Sequence, residues 1–193
     1  TAGEGPLGVL EAVQALAGAP VPASALEVSI LPSRVAGYLP SMLDELTSSG
    51  QVSWVGVTPL PGSDGRIALI PAGSDHVRPS RPSPAQLTGL EQAVLDLLSG
   101  GGGWFFPDVV ARVCSAVQEP ATPQHVADAL MSLVWAGAVS NDSLAPIRAL
   151  VDRRGAGRRR AAAASAAHIR PPRGRYAGLW RGSRGTLSTL RSG

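Results

Sequence analysis

A repeat constrains this chain more than any other feature. The stretch "SMLDELTSSGQVSWVG" (Ser41–Gly56) and the stretch "ADALMSLVWAGAVSND" (Ala127–Asp142) share one pattern. Aligned on Gly50 and Gly137, Leu39, Leu43, Leu46, Gly50 and Val52 fall on Val126, Leu130, Leu133, Gly137 and Val139. Apolar residues at i, i+4 and i+7 make one face of a helix. Glycine at the end suits a left-handed helix cap. A β-branched residue just beyond it opens a strand. Each copy therefore predicts a helix that turns on glycine into a strand, and the pair points to an internal duplication of one supersecondary unit.

The pattern extends around the first copy. Leu7, Val9, Leu10, Val13 and Leu16 recur at helical spacing and stop at Gly18. A second helix is predicted near Pro22–Leu31, and a third follows Tyr38-Leu39-Pro40, with Leu39, Leu43 and Leu46 facing inward. Gln51–Val57 reads as a strand, "TPLPGSDG" as a turn-rich tip and "RIALIP" as the return strand. Helix, helix, helix, hairpin is the winged-helix order, a variant of helix-turn-helix.

Residues 73–85 are proline-rich, lack an apolar face and read as a linker. The pattern then restarts. Leu87 to Leu98 form a helix that "SGGGG" breaks, and "WFFPDVVARVC" packs a second helix with Trp104, Phe105 and Phe106 as core anchors. Thr122 caps a third, with Pro123 at its first position. No return strand is evident in this copy; "SLAPIRALV" reads as a short helix. The expected fold is mainly α with small β-wings. It comprises two tandem winged-helix units (1–72 and 86–152) and an Arg/Ala/Gly-rich tail (153–193) expected to be disordered.

Charge divides the chain. Residues 1–152 hold six arginines against fourteen carboxylates, a net of −8; residues 153–193 hold eleven arginines and no acid. Arginine forks suit phosphates, so Arg153, Arg154, Arg158, Arg159, Arg160, Arg170, Arg173 and Arg175 are the leading DNA-binding candidates, with a solvated linker as the alternative. The third helix of a winged-helix unit often enters the major groove. Here its outer face carries Asp44, Glu45, Thr47 and Ser48, with no arginine in Ser41–Gly50. A structural or partner-docking role suits that face better than DNA reading. Arg34, Arg66 and Trp54 are the residues from which the first unit would build a local DNA surface, although Trp54, like Trp135, also sits where a core anchor is needed.

Catalytic and cofactor chemistry is thin. The chain has no lysine, which excludes a phosphate-loop lysine and Schiff-base mechanisms. His76, His125 and His168 are far apart and Cys114 is alone, so no metal-ligand spacing exists, and no catalytic residue is named. Cys114 reads as a small core residue. No apolar run approaches the roughly 20 residues of a membrane span. The chain begins at Thr1 without methionine and is expected to be a processed chain or a fragment. A cytoplasmic, nucleoid-associated protein is the simple expectation.

Three blocks carry a family resemblance. "LPSRVAGYLPSMLDELTSSGQVSWVGVTPLPGSDGRIALIPA" (Leu31–Ala72), "LEQAVLDLLSGGGGWFFPDVV" (Leu90–Val110) and "ALMSLVWAGAVSNDSLAPIRAL" (Ala129–Leu150) resemble the long C-terminal extension of Lhr-type large helicase-related proteins, with "RPPRGRY" (Arg170–Tyr176) as a further echo. The resemblance implies a parent that is an ATP-dependent 3′-to-5′ DNA helicase acting in DNA repair, whose extension carries tandem winged-helix modules akin to a class of DNA glycosylases. It implies a non-catalytic DNA-binding and scaffolding segment whose partners are DNA and the neighbouring domains of the parent; homo-oligomerisation stays open. ATP and Mg would belong to ATPase lobes that this chain lacks, since it holds no Walker A or DEAH-type motif. The alternatives are a stand-alone winged-helix transcriptional regulator and a fragment of a glycosylase-like module.

Overall fold

In the computed structural model, β1 (Gly3–Glu4) leads directly into α1 (Gly5–Ala15), which buries Val9, Ala12 and Val13. The structure describes residues 3–61, 64–79, 86–151 and 179–182. After β2 (Val21–Pro22), the second helix is split: α2 (Ala23–Ala25) widens into a π turn over Leu26–Ile30. β3 (Val35–Ala36) pairs in parallel with β1, and α3 (Pro40–Ser48) follows. A hairpin of β4 (Val52–Leu60) and β5 (Asp64–Pro71) closes this half, and β2 adds to the free side of β5. Three helices and a hairpin follow one another in winged-helix order.

Two expectations for this half need correction. Leu39 does not face the core: it is 56% exposed. α3 begins only at Pro40, which leaves Leu39 as an extended N-cap at φ −127° and ψ 141°. Its counterpart Val126 lies inside a longer helix and is fully buried. The hairpin is also longer than predicted, with strand geometry to Leu60 and again from Asp64. Asp64 accepts hydrogen bonds from the Ser24 hydroxyl at 2.6 Å and the Ser24 amide at 3.3 Å, which ties the far end of the hairpin to α2. In the proline-rich segment, a 3-10 turn over Asp75–Val77 presses Val77 against Val55 and Ile70 of the hairpin.

The other half contains α4 (Gly89–Ser99), β6 (Trp104–Phe105), α5 (Phe106–Ala116), α6 (Pro123–Trp135), β7 (Val139–Asn141) and α7, a helix over 145–151. Thr122 caps α6 and Pro123 opens it, as read from sequence. Thr88 caps α4 in a reciprocal pair with Glu91. Phe105 is not a core anchor; it is 57% exposed. Successive side chains of a strand face opposite ways, and Trp104 takes the inward face.

The missing return strand lies inside the arginine-rich region. β8 (Leu179–Gly182) is the middle strand of a sheet ordered β6-β8-β7, antiparallel to both neighbours. Trp180 is fully buried. These four residues form a strand, against the expectation for residues 153–193, and the buried Trp180 indole anchors it.

Gly50 at φ 76° and Gly137 at φ 69° make the two helix-to-strand turns in the left-handed region, where a Cβ is strained. The two halves share one core. Val9, Leu43, Trp54 and Leu69 belong to the same buried cluster as Leu98, Leu130, Val139 and Trp180. The first hairpin lies on α6 so closely that any side chain at Gly56 would meet the Val134 carbonyl.

Candidate functional site

α3 holds the place from which a winged helix reaches a partner. Leu43, Leu46 and Thr47 are its buried side. Thr47 was expected on the outer face, but it is 6% exposed and its hydroxyl donates to the Asp44 carbonyl at 3.1 Å. Asp44, Glu45 and Ser48 remain outward, still with no arginine among them.

Asp44 is not left to repel its surroundings. Arg148, on α7, reaches back across the molecule to it. Its Nη1 donates to Asp44 Oδ2 at 2.8 Å, its Nε to Glu27 Oε2 at 2.6 Å and its Nη2 to Glu27 Oε1 at 2.7 Å. Nη2 also approaches the Pro40 carbonyl at 3.4 Å. The Tyr38 hydroxyl completes the group by donating to Glu27 Oε1 at 2.8 Å. The planar guanidinium fork is the group that can hold one carboxylate by two parallel bonds and a second by its remaining amine. Burial, reinforced by the Glu27 bond, holds the Tyr38 phenol far above its ordinary pKa. The Glu27 bonds raise the Arg148 pKa against the opposing effect of burial. This arginine clamp locks the π turn and α3 of one half onto α7 of the other.

Arg148 was missed in the sequence reading. The available signal was a lone arginine in a short amphipathic helix of an acidic half.

The predicted DNA contacts are scattered. Arg34 is exposed, and its Nη1 donates to the Ile30 carbonyl at 2.9 Å. Arg66 is exposed on β5, opposite Thr58 and Pro22. Trp54 leaves the set: it is 1% exposed, with its indole N–H donating to the Ser143 carbonyl at 3.2 Å, so no face is free to stack on a base. Arg153, Arg154, Arg158, Arg159, Arg160, Arg170, Arg173 and Arg175 lie outside the described residues. Arg112 stacks on the Trp104 ring, 4.5 Å from its centroid.

Among the described residues, no cluster of three or more His, Cys, Asp or Glu is placed to hold a metal ion. His125 accepts from the Thr122 amide in the α6 cap at 3.4 Å, and Cys114 donates to the Ala121 carbonyl at 3.3 Å. A surface groove of about 670 Å³ lies between α4 and the α5–α6 connection. Asp96 and Glu119 edge it and no arginine lines it, which is the wrong sign for a phosphate. No helix among the described residues is long and apolar enough to cross a membrane.

Comparison with known proteins agrees with this reading of the fold. Residues 1–72 match the winged-helix domain of large helicase-related protein. A Mycolicibacterium smegmatis protein named Lhr helicase/probable uracil glycosylase is 35% identical over 184 residues, which cover 95% of this chain and 12% of that protein. The Escherichia coli K12 Lhr helicase/uracil glycosylase is 37% identical over 149 residues, 76% of this chain and 10% of that protein. The chain thus spans about a tenth of the length of these curated relatives. With three helices and a hairpin in winged-helix order, and this identity along most of its length, the chain belongs to the Lhr family of large helicase-related proteins as a winged-helix segment.

Proposed function

We propose that this chain is a non-catalytic docking and DNA-binding segment of a larger ATP-dependent 3′-to-5′ DNA helicase acting in DNA repair at the nucleoid. It is built as two tandem winged-helix units, the second completed by β8. The clamp on α3 is the observation that carries this reading. Arg148 occupies the acidic face with which a groove-reading helix would have to meet phosphates, so α3 serves internal docking. ATP and Mg belong to ATPase lobes elsewhere in the parent. The uracil glycosylase named in both relatives is assigned to other parts of the parent as well, since no residue of this sequence was identified as catalytic.

Affinity for DNA falls to the arginine-rich region. The balance of −8 before Arg153 opposes a phosphate backbone, and the eleven arginines from there on attract it. Phosphate contacts position a protein without specifying sequence, so binding should depend steeply on salt and weakly on sequence. Cutting the chain at Asp152 is a poor test, because it also removes β8. Replacing Arg158, Arg159 and Arg160 by Ala in the full chain keeps β8. It should flatten the slope of log K against log salt on duplex DNA by about 2–3, at roughly 0.9 per lost phosphate contact. An unchanged slope would move the DNA contacts to the folded surface around Arg34 and Arg66.

A further inference from the structure

Among the described residues, four buried side-chain polar atoms have no hydrogen-bond partner: Asp44 Oδ1, Trp104 Nε1, Asn141 Nδ2 and Trp180 Nε1. The first belongs to the clamp. The other three stand in one row across a sheet, because Trp180 on β8 pairs with Trp104 on β6 and with Asn141 on β7. Directly paired residues send their side chains to the same face, with neighbouring Cβ atoms roughly 4.5–5.5 Å apart. Trp180 is fully buried and Asn141 is 4% exposed, whereas Trp104 is half-buried. All three atoms donate and none accepts. The Asn141 amide has a fixed orientation, since its Oδ1 accepts from both the amide and the hydroxyl of Ser143 at 3.0 Å. A backbone N–H can only donate, so the oxygen must face Ser143 and the amide nitrogen is left to the row.

Buried donors are costly unless something accepts from them. The row has no acceptor to offer, because its one side-chain oxygen is already engaged twice. Water fits poorly, since it must donate as well as accept. An occupant that only accepts answers all three N–H groups. We infer that the Trp104–Trp180–Asn141 row binds a small monovalent anion of the chloride class. Neutral N–H donors suit a singly charged ion, whose desolvation is less costly than that of a multiply charged one. Arg112, stacked on the Trp104 ring, places a positive charge at the outer end of the row. The donors come from all three strands, so the bound ion holds β8 in its place between β6 and β7.

Urea unfolding of the 193-residue chain tests this in sodium chloride against sodium gluconate at one ionic strength, gluconate being too large to enter. The folding constant should rise about tenfold for each tenfold replacement of gluconate by chloride, once chloride exceeds its dissociation constant. Asn141→Asp keeps an acceptor for Ser143 and puts a carboxylate oxygen in the place of the ion. Trp180→Phe keeps most of the packing and removes one donor. Both should abolish the chloride dependence. Joint replacement of Arg158, Arg159 and Arg160 by Ala should leave it unchanged, which separates the row from ion binding by the arginine-rich region. Trp104→Phe, at the half-buried end, is the mildest change and decides if the other two do not fold. It should shift the dependence to about tenfold higher chloride, the loss of one hydrogen bond to a charged group. Equal folding constants in the two salts overturn the site. So does a chloride dependence that is unaltered in whichever row variant folds.

Discussion

At the scale of single residues, Leu43 on α3 and Leu39 at its N-cap separate core from surface. Leu43 is fully buried, and Leu43→Ala should cost about 2–5 kcal/mol because a cavity remains. Leu39→Ala should cost less than about 0.5 kcal/mol in this chain. Urea denaturation of the two variants checks both values, and equal losses would show that the helix phase is wrong. Arg148→Ala should cost about 2–3 kcal/mol. It strands the Glu27 carboxylate, which is 15% exposed, while the more open Asp44 contributes less. A loss under about 1 kcal/mol in the same experiment would reduce the clamp to a surface ion pair. Leu43, Leu46, Leu130 and Leu133 were legible in the sequence because helical spacing is local. The clamp was not legible. Its partners lie 121 and 104 positions from Arg148, and no local pattern records an ion pair across such a gap.

At the scale of elements, the ends of helices were easier to read than their interiors. Thr122-Pro123 marks the start of α6 because capping chemistry needs only neighbouring residues. The start of α3 slipped by a turn relative to its counterpart, which is why Leu39 and Val126, at equivalent repeat positions, met different fates. β8 escaped notice because four residues with two apolar side chains carry no periodicity. The α4 cap yields a prediction about pH. Burial tends to raise the Glu91 pKa, but hydrogen bonds involving Ser132 and Thr88 outweigh it, and the net shift is downward. A carboxylate whose pKa is depressed on folding stabilises above its unfolded value, and that contribution is lost as pH falls through the folded one. The start of α4 should therefore weaken as pH falls below about 4. Protection of the Glu91 and Gln92 amides against exchange, taken relative to the intrinsic rate at each pH, should fall there in the natural protein. Glu91→Gln should remove most of that pH dependence, and a variant that keeps it would assign the effect elsewhere.

At the scale of the whole molecule, the two halves behave as one body. Their core is continuous, the first hairpin lies on α6, and the clamp spans the join. A chain cut at a protease site engineered into residues 80–85 should still elute from gel filtration as a single species. Under about 3 M urea, enough to approach the midpoint of a small domain, the pieces should part together with the change in tryptophan emission as buried Trp54 and Trp180 meet water. Separation of the nicked halves in plain buffer would mean that the shared core contributes little.

The position of β8 in its sheet also bears on how the protein is made. Translation runs from the amino end at ~5–20 residues per second. The first hairpin is complete once Pro71 has emerged, and that half can settle while the ribosome is still working. β6 and β7 have no such freedom. The strand that belongs between them begins at Leu179, thirty-eight positions after Asn141, so both edges wait about 2–8 s for it at those speeds. During that interval the nascent chain presents two unpaired strand edges and an open seat for an indole. That is the period in which a chaperone, or a neighbouring copy on the same messenger RNA, meets it most readily.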